Sequence, residues 1–192
     1  VPSGNPETVK VGGNTTCVEI RCGEELIVID TGTGFRNLGM ALMKEFPIKG
    51  TILYSHMHWD HIQGFPFFTP FFVPGNEFRV FGGTSLPTTV EDVLKQQMAP
   101  PCFPVKTDLF GAKISYHDVK PGEVIEGENY KVTLAPLYHP NGCYAYRVDH
   151  EGQSLVFATD CEHYEDKPNK NLIELCRGAD MLIYDSQYTE DE

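Results

Sequence analysis

Residues 54–61, which read Tyr-Ser-His-Met-His-Trp-Asp-His, constrain this chain more than any other segment does. Four candidate metal ligands, His56, His58, Asp60 and His61, fall within six residues and directly follow an apolar stretch. Three imidazoles and a carboxylate at this spacing are hard to explain as packing, and together they suit zinc or another divalent first-row metal. The alternative is a solvated polar turn that happens to be rich in histidine, and the pattern favours the metal site.

The length and the charge of the chain limit the partners that it can have. Its 192 residues fit one domain, residues 1–192, with a substantial core. A net charge of −12 argues against tight, non-specific binding to long nucleic acid, which requires a basic surface. An anionic small-molecule substrate remains open, because two divalent ions would add strong local positive charge.

The cysteines and the hydropathy of the chain bear on its location. Six scattered cysteines without a C-x-x-C pair are typical of reduced thiols, which predicts a cytoplasmic protein. No segment is long and apolar enough to span a membrane. No basic-then-apolar leader opens the chain either, although an export signal that preceded Val1 would not be visible.

Strand and helix patterns alternate along the chain and predict a layered α/β fold. We expect strands at residues 16–20, 25–29, 51–54, 78–81, 113–117, 130–136, 144–148, 154–158 and 181–184. Helices are expected from Phe35 to a stop at Pro47, at 89–98 and at 169–177. The segment 64–75 is rich in Phe and Pro and too irregular for a helix, and we interpret it as a pocket wall or an oligomer contact rather than core.

Further candidate ligands follow other predicted strands. His139 comes after one apolar strand, and Asp160 comes at the end of another. A lone histidine in such a place is more often a turn residue, and an acid there often caps a turn, but the first cluster favours ligand roles for both. Asp30 also ends a strand, and it is either a partner that orients a ligand imidazole or an ordinary turn acid.

The pattern H-x-H-x-D-H, followed by a later histidine and a later acid at strand ends, resembles the metal site of the metallo-β-lactamase fold superfamily. The resemblance implies an α/β fold, the four-layered αββα sandwich, and two divalent ions, with zinc expected and manganese or iron as alternatives. It also implies a ligand set in which His56, His58 and His139 hold one ion, Asp60 and His61 hold the other, and Asp160 bridges the two.

Local matches at residues 12–19, 30–34, 61–64 and 185–189 are similar to the phosphodiesterase and tRNase Z-like members of this superfamily. These proteins normally supply one more histidine to the second ion from a loop after the last strand, whereas here no histidine follows His163. They also tend to carry another strand before the segment that opens this chain. We therefore expect one strong and one partial metal site, in a fold that lacks a terminal strand and a C-terminal segment.

The expected function is hydrolysis of a phosphodiester bond by a metal-bound hydroxide. Asp60 would orient the nucleophile, and His163 is a candidate for assisting the leaving oxygen. Thioester or lactone hydrolysis on the same fold is one alternative, and a sensor module that binds a nucleotide or metal without turnover is another. We expect a small-molecule substrate and a homo-oligomer, and no association with a membrane.

Overall fold

The structure, a computed structural model, describes residues 2–162 and 167–185. The chain divides into two compact units, residues 1–118 and residues 119–192. Among the described residues, each unit contains its own five-stranded sheet, with three α-helices in the first unit and one in the second. The mixed α/β class that the sequence predicts is confirmed.

The first unit contains a sheet whose strands lie side by side in chain order. Its strands are β1 (Val18–Cys22), β2 (Glu25–Ile29), β3 (Lys49–Leu53), β4 (Glu77–Gly82) and β5 (Lys113–Asp118). The strands β1 and β2 form the expected antiparallel hairpin, and every later pair is parallel. Parallel neighbours require crossover connections, and here these contain α1 (Gly34–Leu42), α2 (Trp59–Ile62) and α3 (Val90–Gln97).

The aromatic segment after α2 forms the centre of the first unit's core. Two short 3₁₀ turns, Phe65–Phe67 and Thr69–Phe72, direct Phe65, Phe68 and Phe71 inward, where they are fully buried. The Phe68 ring stacks on Phe35 of α1 at 3.8 Å between centroids. The interpretation of this segment as a pocket wall or an oligomer contact is therefore wrong for these three rings.

The physical reason is the spacing of the turns. Phe65 and Phe71 lie in the two 3₁₀ turns and Phe68 lies between them in an extended conformation, so the three buried rings are spaced by three residues, while Phe67 and Phe72 are exposed. Gly39 on α1 makes room for this layer, because a Cβ there would approach the Phe68 ring to 2.7 Å. Burial of three Phe side chains contributes several kcal/mol, roughly 2 kcal/mol each.

The second unit contains a sheet with the strand order β10-β9-β8-β7-β6. Its strands are β6 (Val124–Glu126), β7 (Lys131–Leu137), β8 (Cys143–His150), β9 (Gln153–Ala158) and β10 (Met181–Tyr184). The pairing is antiparallel from β6 to β9, and β10 runs parallel to β9. The helix α4 (Lys170–Cys176) connects β9 to β10, and the Asn169 side chain caps it by accepting the Leu172 amide at 3.1 Å.

Most differences from the sequence prediction lie at element ends. The helix α1 ends at Leu42 rather than continuing toward Pro47, and the three-residue strand β6 was not predicted. The six cysteines are free thiols, as expected. Within the two described stretches, no helix combines the length and the apolar character that crossing a membrane requires.

Candidate metal centre

The histidine cluster lies at the C-terminal end of β3, a buried central strand of the first sheet. The hydrogen bonding to β4 continues one residue beyond β3, because the Tyr54 amide donates to the Phe81 carbonyl at 2.8 Å. The chain then turns, and His58 adopts an extended conformation as the residue that precedes α2. The His61 amide donates to the His58 carbonyl at 3.0 Å, which closes this turn. The chain thus enters a short helix at Trp59, which contains Asp60 and His61.

The imidazole of His56 contacts the other two imidazoles of the cluster. The His56 ring lies 4.5 Å from the His58 ring and 4.1 Å from the His61 ring, measured between centroids. One ring nitrogen of His56 lies within 4.8 Å of a nitrogen of His58, and one lies within 4.8 Å of a nitrogen of His61. Imidazoles this close would repel one another if protonated, whereas neutral imidazoles with converging nitrogens suit a divalent metal.

Asp60 adds a carboxylate to the outer side of this cluster. Its Oδ2 lies 3.7 Å from the Nε2 of His61, which is too long for a hydrogen bond. Two ligands at about 2.1 Å from one tetrahedral ion are themselves roughly 3.4 Å apart, so this spacing fits a pair of ligands to one ion. The Asp60 side chain is 43% exposed, and this open position is one that a substrate can reach.

A buried carboxylate lies behind the imidazoles. Asp30 follows β2 with a left-handed φ of 60° and is 0% exposed. Its Oδ2 lies 2.7 Å from the Nδ1 of His61 and 2.8 Å from the hydroxyl of Ser55, and its Oδ1 accepts the Ser55 amide at 2.8 Å. Burial raises the pKa of Asp30, while the hydrogen bonds from His61 and Ser55 act to lower it. Asp30 thus contacts the imidazole of His61, as the first of the two interpretations requires, and the role of His61 as a metal ligand stays a prediction.

Ser55 extends this network to a second imidazole, since its hydroxyl lies 3.1 Å from the Nδ1 of His56. The hydroxyl has one proton, and it donates that proton to the shorter contact with Asp30. It therefore accepts from His56, whose proton must be on Nδ1. The same proton position holds for His61, which donates to Asp30. Both rings then have Nε2 as the atom available to a metal. Hydrogen-bond partners of metal-binding histidines usually fix the tautomer in this way, and here Ser55 and Asp30 are those partners.

Further hydrogen bonds of Thr31, with Tyr54, His61 and Gly64, support this arrangement. The Thr31 hydroxyl and the Tyr54 hydroxyl are 2.8 Å apart, and the Thr31 amide donates to the His61 carbonyl at 2.8 Å. The Gly64 amide donates to the Thr31 carbonyl at 2.7 Å, and a Cβ at Gly64 would collide with the carbonyl of Gly32. The glycine therefore allows the end of α2 to approach the loop after β2 closely enough for these bonds.

The sequence did not reveal the role of Ser55 or the supporting contacts of Thr31, Tyr54 and Gly64. Ser55 stands next to the cluster in sequence, but a single serine after a strand gives no sign of which side chains it will meet. The fold determines those partners, because β2 and β3 are parallel neighbours and their C-terminal ends lie side by side. The usable signal was the acid at the end of β2, which pointed to the position of Asp30 without identifying its other partners.

The second unit contributes the other two predicted ligands, and each follows a strand as expected. His139 comes after β7, and its Nδ1 lies 3.8 Å from Glu162 Oε1. Asp160 comes after β9 with a left-handed φ of 55°, and its backbone amide donates to Asp185 Oδ2 at 3.1 Å. Both residues are partly buried. His163, the candidate for the leaving-group role, lies outside the described residues.

The remaining histidines of the described residues make ordinary surface contacts. His117 on β5 is exposed and stacks on Phe81 at 4.7 Å between ring centroids. The Nδ1 of His150 lies 2.7 Å from the backbone carbonyl oxygen of Asn129. Because a carbonyl oxygen can only accept, the imidazole is the donor. Among the described residues, neither histidine belongs to a group of three or more candidate metal ligands.

The family comparison covers most of the chain. Residues 25–192 match the family model described as a beta-lactamase superfamily domain. Among curated proteins, the Ribonuclease Z of Methanothermobacter thermautotrophicus is 31% identical over 176 residues, which are 90% of this chain and 54% of that protein. The Ribonuclease Z of Acaryochloris marina is 29% identical over 77% of this chain and 46% of its own length. The chain thus spans about half the length of these curated relatives.

Solved structures show the same fold. The metallo-beta-lactamase fold protein YhfI from Bacillus subtilis aligns over 95% of this chain and 67% of its own, with a TM-score of 0.66 and 18% identity. A diphosphatase from the PhnP family aligns over 88% of this chain and 59% of its own, with a TM-score of 0.61 and 25% identity. The short form of human tRNase Z aligns over 92% of this chain and 73% of its own, with a TM-score of 0.62 and 16% identity.

These comparisons also bear on the partners expected from the charge of the chain. Two of the relatives are named as ribonucleases, so the expectation that long nucleic acid is an unlikely partner is not confirmed. The fold class, the branch and the need for a divalent metal agree with what the motif implied, whereas the identity of the metal is not fixed. On the family match over residues 25–192 and on its fold, the chain belongs to the metallo-β-lactamase fold superfamily.

Proposed function

We propose that this chain carries the metal centre of a hydrolase that cleaves phosphodiester bonds. The observation that supports this most is the buried network from Asp30 through Ser55 to His56 and His61. Such a network is costly to bury, and it fixes a proton on the Nδ1 of each ring so that Nε2 is the atom available to a metal ion, which suits it to holding metal ions. Relatives named as ribonucleases and a diphosphatase support the reaction class.

We assign the ions as the family resemblance implies. His56, His58 and His139 would hold one ion, Asp60 and His61 would hold the other, and Asp160 would contribute to both; zinc is the expected metal. When bound, such ions lower the pKa of water and stabilise negative charge on phosphoryl oxygens. Asp60, with its exposed carboxylate, orients the attacking group by accepting its proton. His163 remains our candidate for protonating the leaving oxygen.

The substrate class that we propose is a phosphodiester of a nucleoside, and RNA is included in it. The names of the curated relatives favour RNA, while the net charge of −12 favours short substrates over long ones. A thioester or lactone substrate would use the same ions but would have no need for charge stabilisation at phosphorus. Activity on a thioester therefore serves as the main competing outcome of the test.

The test compares His58→Ala with His117→Ala, which removes an exposed imidazole outside the cluster. Elemental analysis of the purified proteins should show bound metal in the native protein and in His117→Ala, and a loss of about one ion per chain in His58→Ala. The native protein should hydrolyse bis(p-nitrophenyl) phosphate, and His58→Ala should be at least roughly 100-fold slower. Unchanged metal content in His58→Ala would refute the ligand assignment, and turnover of a thioester alone would refute the reaction class.

A further inference from the structure

Trp59 stands inside the ligand cluster, yet its side chain is 74% exposed. It is the first residue of α2, between His58 and Asp60, and it is the single tryptophan of the chain. A tryptophan packed in a core buries roughly 150–250 Å² and contributes strongly to stability. Most of that gain is absent here, so packing within the described first unit does not account for an indole at this position.

The indole is attached to a fixed part of the backbone. The Trp59 carbonyl accepts the Gln63 amide at 2.9 Å, and the His58 carbonyl accepts the His61 amide at 3.0 Å. The turn is further tied to the loop after β2 by the bond from the Thr31 amide to His61. The neighbouring Asp60 carboxylate is also open to solvent. An exposed aromatic side chain is thus attached to a fixed backbone position between two of the candidate ligands, His58 and Asp60.

The chemistry of the expected substrate indicates what this surface binds. Every nucleobase has a flat π-face, and stacking on an aromatic side chain is favourable whatever the base. The acidic chain offers a polyanion little long-range attraction beyond that of the metal ions, so affinity must come from contacts of another kind. We propose that Trp59 is a stacking platform for a nucleobase adjacent to the scissile phosphodiester. This inference rests on the proposed function and specifies its substrate class.

The first experiment uses the fluorescence of Trp59, which reports on this residue alone. The metal-loaded protein is titrated with adenosine 5′-monophosphate and, separately, with ribose 5-phosphate, which has the same sugar and phosphate without the base. We expect saturable quenching by the nucleotide and binding of ribose 5-phosphate that is roughly 5- to 150-fold weaker. Equal dissociation constants for the two compounds in calorimetry would overturn the proposal.

The second experiment compares three variants by calorimetry with the same nucleotide. Trp59→Ala should lose roughly 5- to 150-fold in affinity, and Trp59→Phe should retain most of it because a phenyl ring also stacks. The control is Phe46→Ala, which removes a 56% exposed aromatic side chain before the start of β3. A five-residue strand separates it from the cluster, roughly 15 Å away, so its affinity should not change.

The outcomes separate this inference from the proposed function. If the protein hydrolyses bis(p-nitrophenyl) phosphate but Trp59→Ala binds the nucleotide as tightly as the native protein, stacking is refuted while the hydrolase assignment stands. If Trp59→Ala instead changes the sedimentation coefficient of the protein and not its nucleotide affinity, the indole is a contact between chains and stacking is again refuted. If nucleotide affinity depends on Trp59 in a protein without hydrolytic activity, stacking stands and the reaction is wrong.

Discussion

The two units support their candidate ligands in very different ways. In the first unit, His56 and His61 are buried and connect through Ser55 to a carboxylate that is fully removed from solvent. In the second unit, His139 and Asp160 are only partly buried; the Nδ1 of His139 lies 3.8 Å from the Oε1 of Glu162, and the backbone amide of Asp160 donates to Asp185. The first pair is therefore held by a buried network before any metal binds, and because the second pair is less buried we expect it to have more freedom to adjust.

This difference matters because a rigid ligand set costs less to order when the ion binds. It also exposes the first unit to larger penalties when a supporting group is removed, since a buried donor that loses its acceptor cannot turn to water. Both Asp30 and Asp160 have a left-handed backbone at the end of a strand, so their local conformation is the same and only the surroundings differ. Matched substitutions in the two units can therefore test the comparison directly.

The largest effect is expected from Asp30→Ala. This change leaves the Ser55 amide, the Ser55 hydroxyl and the His61 ring without their acceptor in a fully buried place. We expect the free energy of unfolding to fall by about 3 kcal/mol or more, measured by urea denaturation of the metal-free protein. The counterpart in the second unit is Asp185→Ala, which removes the acceptor of the Asp160 amide and should cost about 1 kcal/mol. Equal losses would show that the two units are supported alike.

A second effect concerns the binding of metal rather than stability. Ser55→Ala removes the acceptor that fixes the proton of His56 on Nδ1, while the bond between His61 and Asp30 remains. We expect metal affinity to fall roughly 10-fold, as is typical for removal of an outer partner of a ligand. The control is Tyr54→Phe, which removes a buried hydroxyl contact of similar length with Thr31.

Competition with a chelator gives the affinities, and nitrogen NMR of the imidazoles in the metal-free protein gives the tautomers. The native protein should show His56 and His61 protonated on Nδ1, and Ser55→Ala should change His56 alone. A native spectrum with the His56 proton on Nε2 would contradict the hydrogen-bond assignment without any variant. A loss of affinity in Tyr54→Phe equal to that in Ser55→Ala would show that general loosening of the core, and not the proton position, is the cause.

The comparison of the two units also shows which parts of the candidate site could be predicted from the sequence. The cluster from His56 to His61 was visible because its members are close in sequence, and His139 and Asp160 were found because each follows an apolar strand. The role of Ser55 was not visible, because it depends on two strand ends that parallel pairing brings together across more than twenty residues. The aromatic segment 65–72 was misjudged because hydrophobic composition alone does not tell inward from outward rings, and only the period of the 3₁₀ turns separates Phe68 from Phe67.

The smallest effect tests how far the charge of Asp30 reaches within the first unit. Burial raises the pKa of Cys17 to about 12, and the negative charges of Asp30 and Glu19 add to the shift. Asp30→Asn removes one of these charges, so the pKa of Cys17 should decrease and its thiolate fraction at mildly alkaline pH should rise, by a few-fold at most because burial is the larger cause. The rate of iodoacetamide labelling at Cys17, measured by mass spectrometry, gives this change, with the exposed Cys102 as an internal reference. A rise of several hundred-fold in the labelling rate would mean that the substitution had opened the first unit to solvent. In that case the support of its candidate ligands would depend on the charge of Asp30 and not on the packing around it.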